Sequence, residues 1–152
     1  NYLEVRSKMA KAKFFKGPNG IINLRSLIGV IKGDGQLYGF DHSGYMRLYL
    51  DDDTAEDVIE EAHKLVKKNI GINGVLNTPC GGGLSIDIID EVYVNPKSGN
   101  LIISSIAPDK ALLILKADDY SDMDALSDVV QNAVVDLSND KKVSVDWSAY
   151  SA

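Results

Sequence analysis

The feature that most constrains the fold is a motif that occurs twice, in residues 46–66 and 113–133. Each copy begins with an apolar stretch, passes through a run of aspartates and enters a segment with apolar residues at helical spacing. Thr54 with Asp57, and Ser121 with Asp124, stand where a helix N-cap and its capping-box partner are expected. The sequence therefore predicts a duplicated unit of strand, acidic turn and capped helix.

The flanking segments extend this unit on both sides. Short Gly- and Pro-containing turns separate apolar stretches, and short turns of this kind join antiparallel neighbours. The predicted strands are residues 21–32, 36–40, 45–50 and 72–76 in the first copy, and 84–94, 101–106, 111–117 and 142–147 in the second. The predicted fold class is α+β, with two tandem strand-strand-strand-helix-strand units that form antiparallel sheet or sheets with two helices.

The predicted domain organisation is one α+β domain preceded by an arm. Residues 1–20 form a basic helical arm, with the helix over residues 2–15 and a Gly- and Pro-containing end. Residues 21–152 form a single domain, since a chain of 152 residues suits one domain. Within it, repeats 21–76 and 84–147 are joined by a Gly-rich loop.

Charge is distributed unevenly along the chain. Residues 1–32 carry seven Lys or Arg against one Glu, a net of +6, whereas the remainder carries nine basic and 21 acidic residues, a net of −12. A basic segment on an acidic body is suited to a polyanion or to the acidic body of a neighbouring copy. The lone Cys80 excludes an internal disulfide. No apolar run approaches the length of a membrane span, so we expect a cytoplasmic or virion protein with no membrane partner.

The candidate chemical groups lack a catalytic signature. The aspartates at the strand ends could attract Mg²⁺ or Ca²⁺, but they lack the spacing of a calcium loop, and acidic residues favour helix starts in any case. Cys80 would need a histidine to activate it, and the sequence places neither His42 nor His63 beside it. The glycines after Cys80 lack the lysine and the helix of a phosphate-binding loop. We expect no catalytic residue, no metal and no cofactor.

The sequence favours a non-enzymatic subunit that binds to copies of itself or to another protein, as in a larger assembly such as a virus particle. The predicted interface joins basic arm residues of one copy to the acidic strand-helix turns of the next. Its residues are Lys8, Lys11, Lys13 and Lys16 on the arm, with Asp52, Asp53, Asp118 and Asp119 on the turns. Two alternatives stay open: an enzyme or ligand-binding protein with a site at Cys80 and His42, and nucleic-acid binding through the arm.

Overall fold

The computed structural model describes residues 12–18 and 20–152. Its elements confirm the α+β class. The strands are β1 (Phe14–Gly17), β2 (Gly20–Asn23), β3 (Leu27–Lys32), β4 (Leu37–Asp41), β5 (Met46–Leu50), β6 (Val75–Asn77), β7 (Gly83–Ser85), β8 (Ile89–Val94), β9 (Leu101–Ser105) and β10 (Ala111–Leu115), and the helices are α1 (Glu56–Ile70) and α2 (Met123–Ser138).

The strands form three antiparallel sheets. The largest has the order β5-β4-β3-β7-β6, the second has the order β10-β9-β8, and β1 pairs with β2 in a separate hairpin. β7 opens the second repeat in the sequence, yet it pairs with β3 and β6 of the first. The sheet of the first repeat therefore includes a strand from the second.

The two repeats match over the meander, the turn before it and the helix after it, whereas β6 after α1 has no strand counterpart among the described residues after α2. Each three-stranded meander, β3-β4-β5 or β8-β9-β10, is followed by a helix. Each is also preceded by a single 3₁₀ turn, Leu24–Ser26 or Ile86–Ile88. The side chain that caps this turn accepts a backbone N–H two residues on, at Asn23 in one repeat and Ser85 in the other. The duplication thus begins before the meander.

Two apolar cores hold these layers together, because apolar burial is the main favourable term in folding. The first lies between α1 and one face of the five-stranded sheet, where Ile59, Ala62 and Val66 of α1 are buried at helical spacing. The second fills the space between the other face of that sheet and the second repeat. It includes Ile31, Phe40, Leu76, Leu84, Leu101, Ile103, Leu112, Leu115, Leu126, Val130 and Trp147.

Polar contacts also join the repeats. The buried Ser105 hydroxyl donates to the Gly44 carbonyl at 2.7 Å and accepts the Ala107 N–H at 3.0 Å, which ties the β4–β5 turn to the β9–β10 turn. The Asn77 side chain accepts the Val145 N–H and donates to the Val145 carbonyl, both at 2.8 Å. The Trp147 indole N–H donates to the Asn77 carbonyl at 3.0 Å.

Both predicted helix caps are wrong by one residue. The N-cap of α1 is Ala55, whose side chain has no acceptor and therefore makes no cap, and the Thr54 hydroxyl donates to Asp51 Oδ1 at 3.4 Å. The N-cap of α2 is Asp122, whose side chain accepts the Ala125 N–H at 3.1 Å. The Ser121 hydroxyl donates to the Tyr150 carbonyl.

Two further predictions are corrected. No strand forms over residues 142–147, because the Asn77 side chain takes the place of a strand partner for Val145. Most of the helix predicted over residues 2–15 lies outside the described residues. Its four described positions are not helical, because Ala12 and Lys13 have no regular structure and Phe14 and Phe15 belong to β1, where Phe15 is buried in the first core. The Gly-rich segment contains a 3₁₀ turn, Pro79–Gly81, followed by Gly83 in β7.

Candidate functional site

Beside the core that joins the two repeats, a groove of about 740 Å³ is lined by residues of both. One wall is a face of β3 and β4, from which Ile31, Tyr38 and Phe40 project. The other wall is β10, all five residues of which line the groove. Because side chains alternate between the two faces of a strand, a surface that touches five successive residues runs along the edge of that strand. The groove therefore exposes the free edge of β10.

The middle of the groove is lined by apolar residues, and the charged residues that line it are both basic. Only Lys32 and Lys110 carry charge among the residues that line it. Lys32 lies at the β3–β4 turn and pairs with Glu60, a contact that raises the pKa of Lys32 and lowers that of Glu60. Lys110 lies at the other end, beside the turns joined by Ser105 and Gly44. It makes no ion pair within the described part of the chain.

The loop that carries Cys80 lies near the Lys32 end of the groove. Pro79 lines the groove, and Cys80 is exposed with a left-handed φ of 64°. The Cys80 thiol is close enough to influence Lys32 and Tyr120 electrostatically. Burial is the main cause that raises the pKa of Tyr120, with Asp119 and then Cys80 adding to it. The loop thus sits where the repeats meet.

The structure brings His63, rather than His42, to this loop. A Cβ placed on Gly81 would lie 3.8 Å from Cε1 of His63. The Nε2 atom of His63 is buried and has no hydrogen-bond partner among the described residues. Burial lowers the pKa of His63, and Lys32 and Lys67 lower it further against the opposing effects of Gly81 and Glu60. His42 is exposed in the β4–β5 turn, at the far end of β4 from Lys32.

A second candidate surface is the outer face of the three-stranded sheet. Tyr93, Ile102 and Ile114 are direct partners across β8, β9 and β10, so their side chains share one face. Tyr93 is 38% exposed and Ile114 is 52% exposed. The charged residues that line the depression beside this row are three acids, Asp90, Glu91 and Asp109, and one base, Lys110. We refer to Tyr93, Ile102, Ile114 and these three acids as the open face.

The equivalent row of the first repeat is partly covered. Ile31, Tyr38 and Tyr49 hold the same positions in β3, β4 and β5 and are direct partners across them. Ile31 is only 6% exposed, because it belongs to the core shared with the second repeat. Tyr38 stacks on Tyr49 with ring centroids 5.2 Å apart and lines the groove. Tyr49 remains 44% exposed, so the second repeat covers the Ile31 end of this row and not the whole of it.

A third candidate surface is the β1–β2 hairpin. Phe14 is 60% exposed and Ile21 is 68% exposed, although both are large apolar side chains. Lys13 and Lys16 are exposed beside them. We refer to these four residues as the basic hairpin. Exposed apolar residues rimmed by one sign of charge are typical of interaction surfaces.

The predicted interface residues are only partly described. Lys8 and Lys11 lie outside the described residues, whereas Lys13 and Lys16 are exposed and make no ion pair within the described part. The acidic partners predicted for them, Asp52, Asp53, Asp118 and Asp119, are exposed in the two strand-helix turns.

The aspartate turn after β5 was also considered for metal binding. Asp51, Asp52 and Asp53 each offer a carboxylate oxygen within 4.8 Å of the others, and they are the only such group in the described ranges. Asp51 Oδ1 already accepts the Asp53 N–H at 3.1 Å as well as the Thr54 hydroxyl. The geometry is that of a turn closed by its first aspartate.

Comparison with protein-family models, with curated proteins and with solved structures finds no match for this chain. Neither described helix has the length and apolar character that crossing a bilayer requires.

Sequence reasoning missed the groove and the open face. It found the strands that form both surfaces, but not that β7 would pair across the repeats or that β10 would remain an edge. In β9, Leu101, Ile103 and Ser105 are buried and Ile102 and Ser104 are less so, an alternation that the sequence Leu-Ile-Ile-Ser-Ser does not reveal. What covers each face depends on packing between distant segments.

Proposed function

We propose that the protein is a non-enzymatic subunit that associates with further copies of itself. The observation that carries this proposal is the open face, an apolar row across three strands that is bare where its counterpart in the first repeat is partly covered. A second copy is the occupant for which the chain offers a matching surface. The basic hairpin of one copy would pack on the open face of the next.

Charge supports this pairing. The open face includes Asp90, Glu91 and Asp109 in the depression beside its apolar row, and Lys13 and Lys16 flank the apolar residues of the hairpin. The whole chain has a net charge of −6, so most pairs of surfaces on two copies repel each other. The basic first segment is the exception. Complementary charge of this kind favours encounter and fixes orientation more than it adds affinity.

The contact would be head-to-tail, because the hairpin and the open face are different surfaces. A head-to-tail contact closes into a ring if its rotation allows and otherwise grows into a filament. Such an assembly agrees with a structural role in a larger particle. With its single cysteine, the chain forms no internal disulfide, and the proposed setting is the cytoplasm or a virion.

Light scattering of the full chain over a wide concentration range tests self-association directly. We expect the mean mass to rise with concentration and to fall when salt is added, because exposed charges are screened beyond about 8 Å at physiological ionic strength. A mass of one chain at every concentration would contradict the proposal.

Charge reversal then maps the contact. Replacing Lys13 and Lys16 by Glu should weaken association about tenfold, as should replacing Asp90 and Glu91 by Lys. Combining the two pairs should restore it, because the attraction returns with opposite sign. The matched control replaces Lys64 and Lys68, exposed lysines on α1, by Glu.

The acidic turns are the competing acceptor. Replacing Asp52 with Asp53, or Asp118 with Asp119, by Lys changes the same number of charges. If these variants weaken association and those of the open face do not, self-association stands and the open face is the wrong acceptor. No observation in the described residues favours the other two functions, since Cys80 and His42 are apart and most of the arm is not described.

A further inference from the structure

We propose that the groove beside β10 binds an extended peptide from a partner protein, which joins the three-stranded sheet as a fourth strand. This peptide is apolar at alternate positions and acidic at both ends. The inference goes beyond self-association, because Ile114 is the one residue of the open face that also lines the groove, although Lys110 and Ala111 line both the groove and the depression beside the open face.

The backbone of β10 provides the first argument. β10 is the terminal strand in the order β10-β9-β8, so one edge bonds to β9 and the other has no strand partner among the described residues. A free edge presents unpaired N–H and C=O groups that template another strand. Its five residues span about 17 Å at roughly 3.4 Å per residue, which matches a peptide segment of similar length.

The opposite wall provides the second argument. Tyr38, which is half-buried, and Phe40, which is only 6% exposed, line the groove from alternate positions of β4, and the exposed Tyr45 and Met46 lie at one end. A strand added to β10 directs every second side chain to one side of the sheet. Those side chains would meet an apolar wall, which accounts for an apolar residue at alternate positions. The volume of about 740 Å³ lies within the ordinary range of ligand clefts.

Charge identifies the kind of peptide. Lys110 precedes β10 and Lys116 follows it, and both are exposed without an ion pair in the described part. Acidic residues at the two ends of an added strand would face them. Lys32 adds a further positive charge in the groove, although Glu60 already pairs with it.

The same lysines disfavour β10 of a second copy as the occupant. Antiparallel pairing of two β10 strands about Leu113 places Lys110 of one copy opposite Lys116 of the other. Like charges directly opposite each other destabilise a strand pair, and flanking lysines are a common protection against edge-to-edge pairing. The groove therefore suits a chain of different charge.

Defined peptides test the proposal on the full chain. The probe is the heptapeptide acetyl-Asp-Val-Thr-Val-Thr-Val-Asp-amide, titrated by calorimetry and by amide chemical shifts of the labelled protein. Two further versions carry N-methyl groups, one on the amides that would face β10 and the other on the alternate amides that face away. Only the first version blocks the hydrogen bonds to β10. We expect that version to bind at least about tenfold more weakly and the other to bind as the parent does.

The shifts should concentrate in β10 and the β4 wall. If the parent peptide does not bind, or if both methylated versions bind as the parent does, strand addition at β10 is contradicted. These peptide controls leave the protein unchanged, so misfolding of a variant cannot produce the result.

A charge exchange tests the acidic ends. The unchanged protein should prefer the Asp-ended peptide to a Lys-ended one by about threefold or more, with less preference in high salt. Replacing Lys110 and Lys116 by Glu should reverse this preference, whereas replacing the exposed Lys97 and Lys142 should not. An unchanged preference in the first variant would contradict the charge argument. Light scattering of the same samples shows whether their self-association also changes, so an effect on peptide binding can be distinguished from an effect on association.

Discussion

The two repeats contain the same meander and the same helix, but they differ in what their outer faces meet. In the first repeat, Ile31 of the outer row is buried against the second repeat. In the second, Tyr93 and Ile114 of the equivalent row remain exposed. The second repeat covers part of the outer face of the first, but no third repeat among the described residues covers the outer face of the second. The second repeat therefore carries the open face.

The strands that precede the two meanders differ in the same way. β2 pairs only with β1, whereas its counterpart β7 is inserted between β3 and β6. The sheet of the first repeat thus includes a strand of the second, whereas the sheet of the second repeat includes no described strand of the first. Because of this asymmetry, the β6–β7 loop joins the two repeats both along the chain and through strand pairing. We call this loop the joint between the repeats.

We expect the largest effect from Gly82→Ala. A Cβ on Gly82 would lie 2.3 Å from Thr78 Oγ1 and 2.5 Å from the Val30 carbonyl oxygen. The backbone of β3 cannot move aside without disturbing its pairing with β7, so we expect a loss of about 3 kcal/mol or more in the free energy of unfolding. Urea unfolding followed by circular dichroism measures it.

Gly71→Ala is the matched control. Gly71 has a φ of +76° and a ψ of −157°, a conformation essentially limited to glycine, but nothing lies within 4 Å of the added Cβ, so only backbone strain of about 1–3 kcal/mol is expected. If Gly82→Ala were no more costly than this control, the joint between the repeats would be looser than the close approach of β7 to β3 indicates.

We expect a smaller effect from Asn77→Ala. The substitution removes two hydrogen bonds to Val145 and leaves a backbone donor and acceptor of the closing segment unpaired. Because such orphaned groups cost more than the lost bonds alone, we expect about 2 kcal/mol, measured by the same unfolding experiment. Trp147 fluorescence should report looser packing of that segment.

Asn73→Ala serves as its control, since Asn73 is exposed and its substitution should change stability by less than about 0.5 kcal/mol. An equal and small effect of both substitutions would mean that Asn77 does not hold the second repeat to β6.

These contacts also show where sequence reasoning succeeds and where it stops. The meanders and both helices were predictable, because the turns after Lys32 and Phe40 and the buried stripe of Ile59, Ala62 and Val66 are local patterns. The closing strand was wrongly predicted although Val143, Val145 and Trp147 do alternate. A strand needs a partner, and here a single side chain, Asn77, supplies the pairing from 68 residues away.

The candidate site was less predictable than the fold for the same reason. The groove requires β10 to remain an edge while β7 leaves its own repeat to pair with β3. Strand order of this kind is decided by which apolar faces pack together, and no local spacing encodes it. The position of His63 beside Gly81 is likewise a contact between a helix and a distant loop.

The smallest expected effect concerns this histidine, which occupies the position of the fully buried Val130 in the second repeat. Burial lowers the pKa of His63 below its ordinary value of about 6.5. The unfolded chain therefore binds a proton at a higher pH than the folded chain, so the free energy of unfolding falls as pH drops below about 6.5 and levels off below the folded pKa.

His63→Val should remove this part of the pH dependence, since valine does not titrate. His42→Val, at the exposed turn, should keep it. Unfolding curves between pH 7 and about pH 5 measure both, and an unchanged pH slope in His63→Val would show that the first repeat tolerates a charged group where the second holds a valine.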